Sequence, residues 1–250
     1  MAVDLTETHR LAREIAVEWE LELGEPYAIA TCSFVAPVGD DAVFKVVWAG
    51  DDESLDEGPA LQVWAGDGAV RLHRADRSRR ALLEERAVPG TDLSDLPDDE
   101  ATAIAVDIAT RLWRREGAPF RRVANEVPRW LANHTTSLTP YAQELWNAFE
   151  PGHDWLVHGD LHHHNILRHG SRYVAIDPKP YLSDREYDLF SWLRNPLSYR
   201  MTDRERTERR IAAFVAAGLD DRRIRIWAIV RGAYLTDDPE ELALLGELLS

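Results

Sequence analysis

Asp160 and Asn165 stand five residues apart in the run LVHGDLHHHNIL (156–167), and Asp177 follows twelve residues later in VAIDPKP (174–180). Two carboxylates and an amide at such points suit phosphoryl transfer. That reaction passes through a loose transition state and asks the protein mainly to position groups and neutralise charge. Asp160 is expected to accept the proton of an attacking hydroxyl. Asn165 and Asp177 are expected to hold magnesium against nucleotide phosphates, since that ion takes hard oxygen ligands and needs few side chains. The flanking pairs Leu156-Val157 and Ile166-Leu167 are apolar, so the polar run reads as a loop held between two buried anchors.

The neighbouring histidines invite a second reading. Zinc takes about four nitrogen or sulfur ligands in a tetrahedron. Consecutive residues of an extended stretch point in alternate directions, and Cys32 is the single cysteine of the chain, so His162, His163 and His164 argue against zinc. Of 29 basic residues only Lys45 and Lys179 are lysines. A coding bias toward arginine accounts for the preference; the two exceptions both fall in candidate site segments, where a compact ammonium can fit among phosphate oxygens. Lys179, two residues past Asp177, is close enough to approach a phosphate, with a structural contact as the alternative.

The elements that must position these groups change character along the chain. Residues 5–20 carry Leu11, Ile15 and Trp19 at helical spacing. LELGEPYA (21–28), SFVAPV (33–38) and AVFKVVW (42–48) predict strands, the last two joined by the turn signal GDD at 39–41. LDEGPALQVWAG (55–66) predicts a helix with Gly58 and Pro59 in its first turn, where proline is tolerated. Two further strands, AVRLHRA (69–75) and RALLEER (80–86), precede a linker, AVPGTDLSDLPDDE (87–100). Helices are then predicted near 98–116, 123–133, 139–149, 184–194, 203–217, 221–235 and 239–249, with RYVAIDPKP (172–180) as a strand ending in a polar turn. A small sheet-rich lobe followed by a larger helical one is the plan these patterns imply.

HGDLHHHN, followed by IDPKP and YDLFSWLRNP, resembles the aminoglycoside phosphotransferase superfamily, and within it the streptomycin 6-kinase and hydroxyurea-resistance kinase group. Small-lobe pieces such as LGEPYA, VFKVVW and ALLEERAVPGTDL fall in the family's order, so the resemblance covers nearly the whole chain. It implies an α+β, bilobal, protein-kinase-like fold. A small antiparallel-sheet lobe with one helix would occupy residues 1–87, with a larger, mainly helical lobe over 88–250. It also implies ATP as donor, Mg2+, and phosphorylation of a hydroxyl on a small molecule. Carried over by position, Lys45 matches the lysine that holds the donor phosphates and Glu57 the helix carboxylate that orients it, in agreement with a strand lysine and an acid on the next helix. LLEERAVPG, with Glu85, matches the hinge beside the adenine. His158 would brace the loop, and Asp188 in YDLF would hold its backbone. Two features depart from the family. The phosphate-covering loop, IATC at 29–32, has no glycine, and His164 stands where a smaller or acidic residue is common, on the acceptor side.

Composition limits the partners. The chain of 250 residues is 45% apolar with a formal charge of -15, which suits a globular protein and argues against nucleic acid, whose recognition needs clustered cations. A cationic acceptor would be drawn to it. No apolar stretch approaches a membrane span, the start MAVDLTETHR is charged where a signal peptide is apolar, and one cysteine gives no sign of an oxidising compartment, so a cytoplasmic site is expected. The expectation is a magnesium-dependent kinase of an aminoglycoside such as streptomycin. The alternatives are a kinase of another amino sugar, sugar or metabolite, and an inactive nucleotide-binding protein on a kinase scaffold.

Overall fold

The structure is a computed structural model and describes residues 4–28, 32–196 and 200–249. In chain order the first elements are α1 (Thr6–Glu18), β1 (Ser33–Val38), β2 (Ala42–Val47), α2 (Glu57–Trp64), β3 (Leu72–Asp76) and β4 (Ala81–Glu85). Next come α3 (Asp98–Leu112), β5 (Arg114–Arg115), α4 (Val123–Asn133), α5 (Thr139–Ala148), β6 (Trp155–Val157), β7 (Ile166–His169), β8 (Arg172–Ala175) and β9 (Tyr181–Ser183). The chain closes with α6 (Leu189–Arg194), α7 (Arg204–Ala216), α8 (Asp221–Leu235) and α9 (Pro239–Gly246). This is an α+β plan, an antiparallel sheet with few helices followed by a mainly helical part.

The chain divides into two compact units, Met1–Thr91 with Leu167–Lys179, and Asp92–Ile166 with Pro180–Ser250. The division at Thr91 lies close to the expected 87/88 boundary, but the β7–β8 segment belongs with the first unit. Backbone bonds tie it there: Arg168 N–H to Thr91 O (2.8 Å), Gly90 N–H to Arg168 O (3.1 Å) and Ala175 N–H to Gly68 O (2.8 Å).

In the first unit the sheet order is β1-β2-β4-β3, with all neighbours antiparallel. Period-two alternation sends Phe34, Ala36, Phe44, Val46 and Ala81 to one face, where they bury Ile15 of α1 and Trp19 just past its end. This helix stands in addition to the one helix the kinase-like plan implies. Lys45 points to the other face, which α2 covers. A Cβ at Gly58 would lie 3.0 Å from Leu82 Cδ2, so α2 approaches the sheet more closely than a side chain there would allow without displacing Leu82. Residues 21–28 do not form the expected strand. Gly24 and Pro26 interrupt the ladder, leaving a Leu23–Val38 bridge and a Tyr27 N–H bond to Val35 O (2.9 Å).

The second unit is built around α8. Ile224, Trp227, Ala228, Ile229, Val230 and Ala233 are buried on all sides of it, as expected of a core helix. Asp203, Asp220 and Asp238 cap α7, α8 and α9 through side-chain bonds to backbone N–H groups in the first turn. The helix expected over 98–116 stops at Leu112, because Trp113 turns extended and Arg114–Arg115 pair with β6. Among the described residues no helix is long and apolar enough to cross a membrane.

Candidate active site

The first unit gathers Lys45, Glu57, Glu84 and Asp177. Lys45 Nζ donates to both oxygens of Glu57, at 2.7 and 2.8 Å, and to Asp177 Oδ1 at 2.5 Å. Three donors therefore meet three acceptor atoms. The Lys45 and Glu57 side chains are buried, while that of Asp177 is 44% exposed. Burial alone would lower the Lys45 pKa, but the carboxylates of Asp177 and Glu57 outweigh it and hold the ammonium above its ordinary value. Asp177 follows β8 in a left-handed conformation (φ 54°), which a short polar side chain tolerates better than most.

Glu84 was not among the candidates read from the sequence. It lies on β4 opposite Val43 and is buried on the same face of the sheet as Lys45. Burial pushes its carboxyl up to about 7, and burial likewise raises Glu57. A signal was available: two adjacent glutamates in an apolar strand cannot both face solvent.

Glu85 and Lys179 take other partners. Glu85 Oε1 accepts from Arg172 Nη2 (3.0 Å) and lies 3.2 Å from His169 Nε2, while Oε2 accepts from Arg71 N–H (3.1 Å). His169 Nδ1 in turn accepts from Val88 N–H (3.1 Å), tying β7 to the segment expected as the hinge. Lys179 Nζ stands 3.7 Å from Glu53 Oε2. Of the expected phosphate loop, Ile29, Ala30 and Thr31 lie outside the described residues; Cys32 O accepts from Trp48 N–H (2.9 Å).

The second unit carries the loop after β6. Gly159 has φ 82°, a conformation glycine adopts without a Cβ penalty. Its N–H donates to Asp188 Oδ1 (2.7 Å), and its carbonyl accepts from Arg231 Nη2 (2.9 Å). Asp160 follows, its Oδ1 accepting from Ser191 Oγ (3.1 Å) and its Oδ2 lying 3.6 Å from His162 Nε2. Asn165 Nδ2 donates to Asp160 O (3.0 Å), which fixes the amide and leaves its carbonyl oxygen as the end able to meet a cation. His158 is fully buried, with Nδ1 accepting from Asp160 N–H (3.3 Å).

The three consecutive histidines part company. His162 Nδ1 accepts from His164 N–H (3.2 Å). His163 turns inward and stacks on Trp192, ring centroids 3.8 Å apart. His164 Nδ1 reaches Asp92 Oδ2 at 2.6 Å. Ser191 and Arg231 escaped the sequence reading. A lone arginine within the apolar run IWAIVRGAYL was a visible signal, whereas nothing local marked Ser191.

Chemically, the first unit offers a buried ammonium with an exposed carboxylate beside it, and the second a carboxylate and an amide on a braced loop. The family model described as aminoglycoside/hydroxyurea antibiotic resistance kinase matches residues 21–236. A hydroxyurea phosphotransferase of Kitasatospora aureofaciens is 32% identical over 241 residues, 87% of this chain and 69% of its own length. A streptomycin 3''-kinase of Klebsiella pneumoniae is 34% identical over 181 residues, 66% of this chain and 65% of its own, so the match spans just under two thirds of that relative. Among solved structures, the choline kinase LicA of Streptococcus pneumoniae in complex with AMP has a TM-score of 0.65 at 14% identity over 98% of both chains, a likeness that shows the fold alone.

Proposed function

Because the chain belongs to the aminoglycoside/hydroxyurea antibiotic resistance kinase family, we propose that it transfers the γ-phosphoryl group of ATP to a hydroxyl of a small molecule, with an aminoglycoside such as streptomycin as the acceptor class. The observation that carries the reading is the Lys45–Glu57–Asp177 group, a buried ammonium oriented by one carboxylate beside a second, exposed one. In this assignment Lys45 meets the donor phosphates and Glu57 orients it. Glu85 belongs to the hinge beside the adenine, and Lys179 approaches the phosphates. Asp160 is the general base, supported by its place on a loop braced by Asp188 and Arg231.

Asn165 and Asp177 are assigned to magnesium, for which the donor set is suitable: an amide oxygen whose NH2 end is already engaged, and a half-exposed carboxylate. When bound, the ion would neutralise charge on the phosphates. Asp160 takes the acceptor's proton as the new O–P bond forms and the bond from the γ-phosphorus to the bridging oxygen of ATP breaks, with ADP as the leaving group. A formal charge of -15 favours a cationic acceptor, and we place the protein in the cytoplasm. A second acceptor, hydroxyurea, is favoured by the name of the relative that matches 87% of this chain.

The test is a phosphoryl-transfer screen with Mg-ATP against streptomycin, other aminoglycosides, hydroxyurea and a panel of sugars, with mass spectrometry of the products. A phosphorylated aminoglycoside supports the first reading, and phosphorylated hydroxyurea the second. Mg-ATP binding without product from any acceptor, and without basal hydrolysis, would overturn both in favour of an inactive nucleotide-binding protein.

A further inference from the structure

Asp160 ends in a carboxylate whose direction its own backbone does not set. The last torsion of an aspartate is broad and roughly two-fold, so its lone pairs must be aimed by a neighbour. Two side chains stand at it: Ser191 Oγ, which donates to Oδ1 at 3.1 Å, and His162 Nε2, which lies 3.6 Å from Oδ2 and beyond hydrogen-bond reach. Of the two, Ser191 is the one that bonds. A serine within a helix commonly returns its hydroxyl to the carbonyl four residues earlier. Here that carbonyl, Tyr187 O, accepts from Arg231 Nη1 at 2.8 Å, and the Ser191 hydroxyl turns to Asp160 instead. The helix that carries Ser191 is itself held. Buried Arg210 donates from Nη1 to Trp192 O and Asn195 O, both at 2.7 Å, at the end of α6. Trp192 stacks on His163, which belongs to the same loop as Asp160. A buried serine on a clamped helix therefore meets the loop at a fixed point.

We propose that Ser191 is a positioning residue for phosphoryl transfer: its hydroxyl fixes the rotation of the Asp160 carboxylate, so that the acceptor's O–H meets a lone pair already in place. The inference rests on the kinase reading, in which Asp160 is the general base. As the acceptor's O–H bond gives way to the new O–P bond and ADP leaves, the released proton passes to the Asp160 carboxylate. Ser191 keeps its own proton throughout. Because it acts through Asp160, its effect falls on the chemical step and not on the binding of either substrate.

The experiment measures kcat and KM on the full chain with Mg-ATP and streptomycin, or with hydroxyurea where that is the compound phosphorylated. It compares the wild type, Ser191→Ala, Ser191→Thr, Asp160→Asn and the Asp160→Asn/Ser191→Ala double variant, with melting temperatures alongside. Ala should lower kcat about tenfold, about 1.4 kcal/mol in the barrier, and leave both KM values within about twofold. Thr keeps the hydroxyl and should recover kcat to within about threefold of the wild type. The double variant should match Asp160→Asn within about twofold, because no carboxylate base is left for the hydroxyl to aim. Wild-type kcat in a folded Ala variant, a loss carried by KM alone, or a folded Thr variant no faster than Ala overturns the assignment. So does an equal loss from Ser191→Ala in both backgrounds, which is what a merely structural role would give. Should the Ala variant not fold, Ser191→Cys, close in size with a weak donor, takes its place, and full kcat there overturns the role. A wild type that phosphorylates neither compound removes the kinase reading itself, and this role with it.

Discussion

Asp188 grips the backbone of Gly159: Oδ1 accepts Gly159 N–H at 2.7 Å, while Oδ2 accepts His158 N–H at 3.1 Å and the Trp113 indole N–H at 3.0 Å. One buried carboxylate thus serves three buried donors and sets the turn from which Asp160 projects. Asp188→Ala strands all three. At about 1–3 kcal/mol for each unsatisfied buried donor, the loss should reach at least about 3 kcal/mol, read as a lower urea midpoint. Asp188→Asn keeps one acceptor oxygen and should fall between the two.

Asp160→Asn should leave the fold intact, since Asn can still accept from Ser191, and should lower turnover by at least about 100-fold, the loss typical of a missing general base. Unchanged turnover in the purified variant, measured with the acceptor found in the screen, would remove Asp160 from the chemistry.

Lys45→Met removes the cation shared by Glu57 and Asp177 and leaves buried acid behind. Breaking a buried pair in this way costs about 3–5 kcal/mol. Denaturant titration should show that loss together with weaker Mg-ATP binding. In Lys45→Met/Glu57→Leu, where the buried carboxylate is also gone, part of the stability should return while nucleotide binding stays weak.

The pH dependence of stability has two opposed sources. Burial lowers the His163 pKa to about 3, beneath its ordinary 6.5, so its contribution is present above 6.5 and is lost as pH falls toward 3. The Glu84 pKa is raised from 4.5 to about 7, so its contribution is present below 4.5 and is lost as pH rises toward 7. His163→Phe, which keeps a ring over Trp192, should flatten the acid side of the unfolding free energy between pH 6.5 and 4. Glu84→Gln should flatten the side between 4.5 and 7. Parallel curves for wild type and variant would remove the residue concerned as a source.

Much of the fold can be read from periodicity. The helices expected at 123–133 and 221–235 match α4 and α8, and the strands at 33–38 and 42–48 match β1 and β2 to within a residue. The meeting of Lys45 with Glu57 is legible because an apolar strand with one lysine precedes a helix that opens on an acid. Three features were not. The strand expected over 21–28 yields to Gly24 and Pro26. Ser191 carries no local mark. The attachment of β7 and β8 to the first unit depends on pairing with residues 68–91, a contact across the sequence that no local pattern encodes. Glu84 shows the opposite case, a visible charge in an apolar strand passed over because its neighbour Glu85 was assigned to the hinge.

The segment Leu167–Lys179 gives the first unit a particular history on the ribosome. Its leading 91 residues emerge without Asp177, and residues 92–166 must be made before the missing piece arrives. At roughly 5–20 residues per second, that is an interval of seconds. A nascent chain halted before residue 177 carries a Lys45 that lacks one of its two carboxylate partners, so translation pausing in the intervening stretch would prolong the time that a first unit with its sheet complete but its ammonium incompletely neutralised is offered to chaperones.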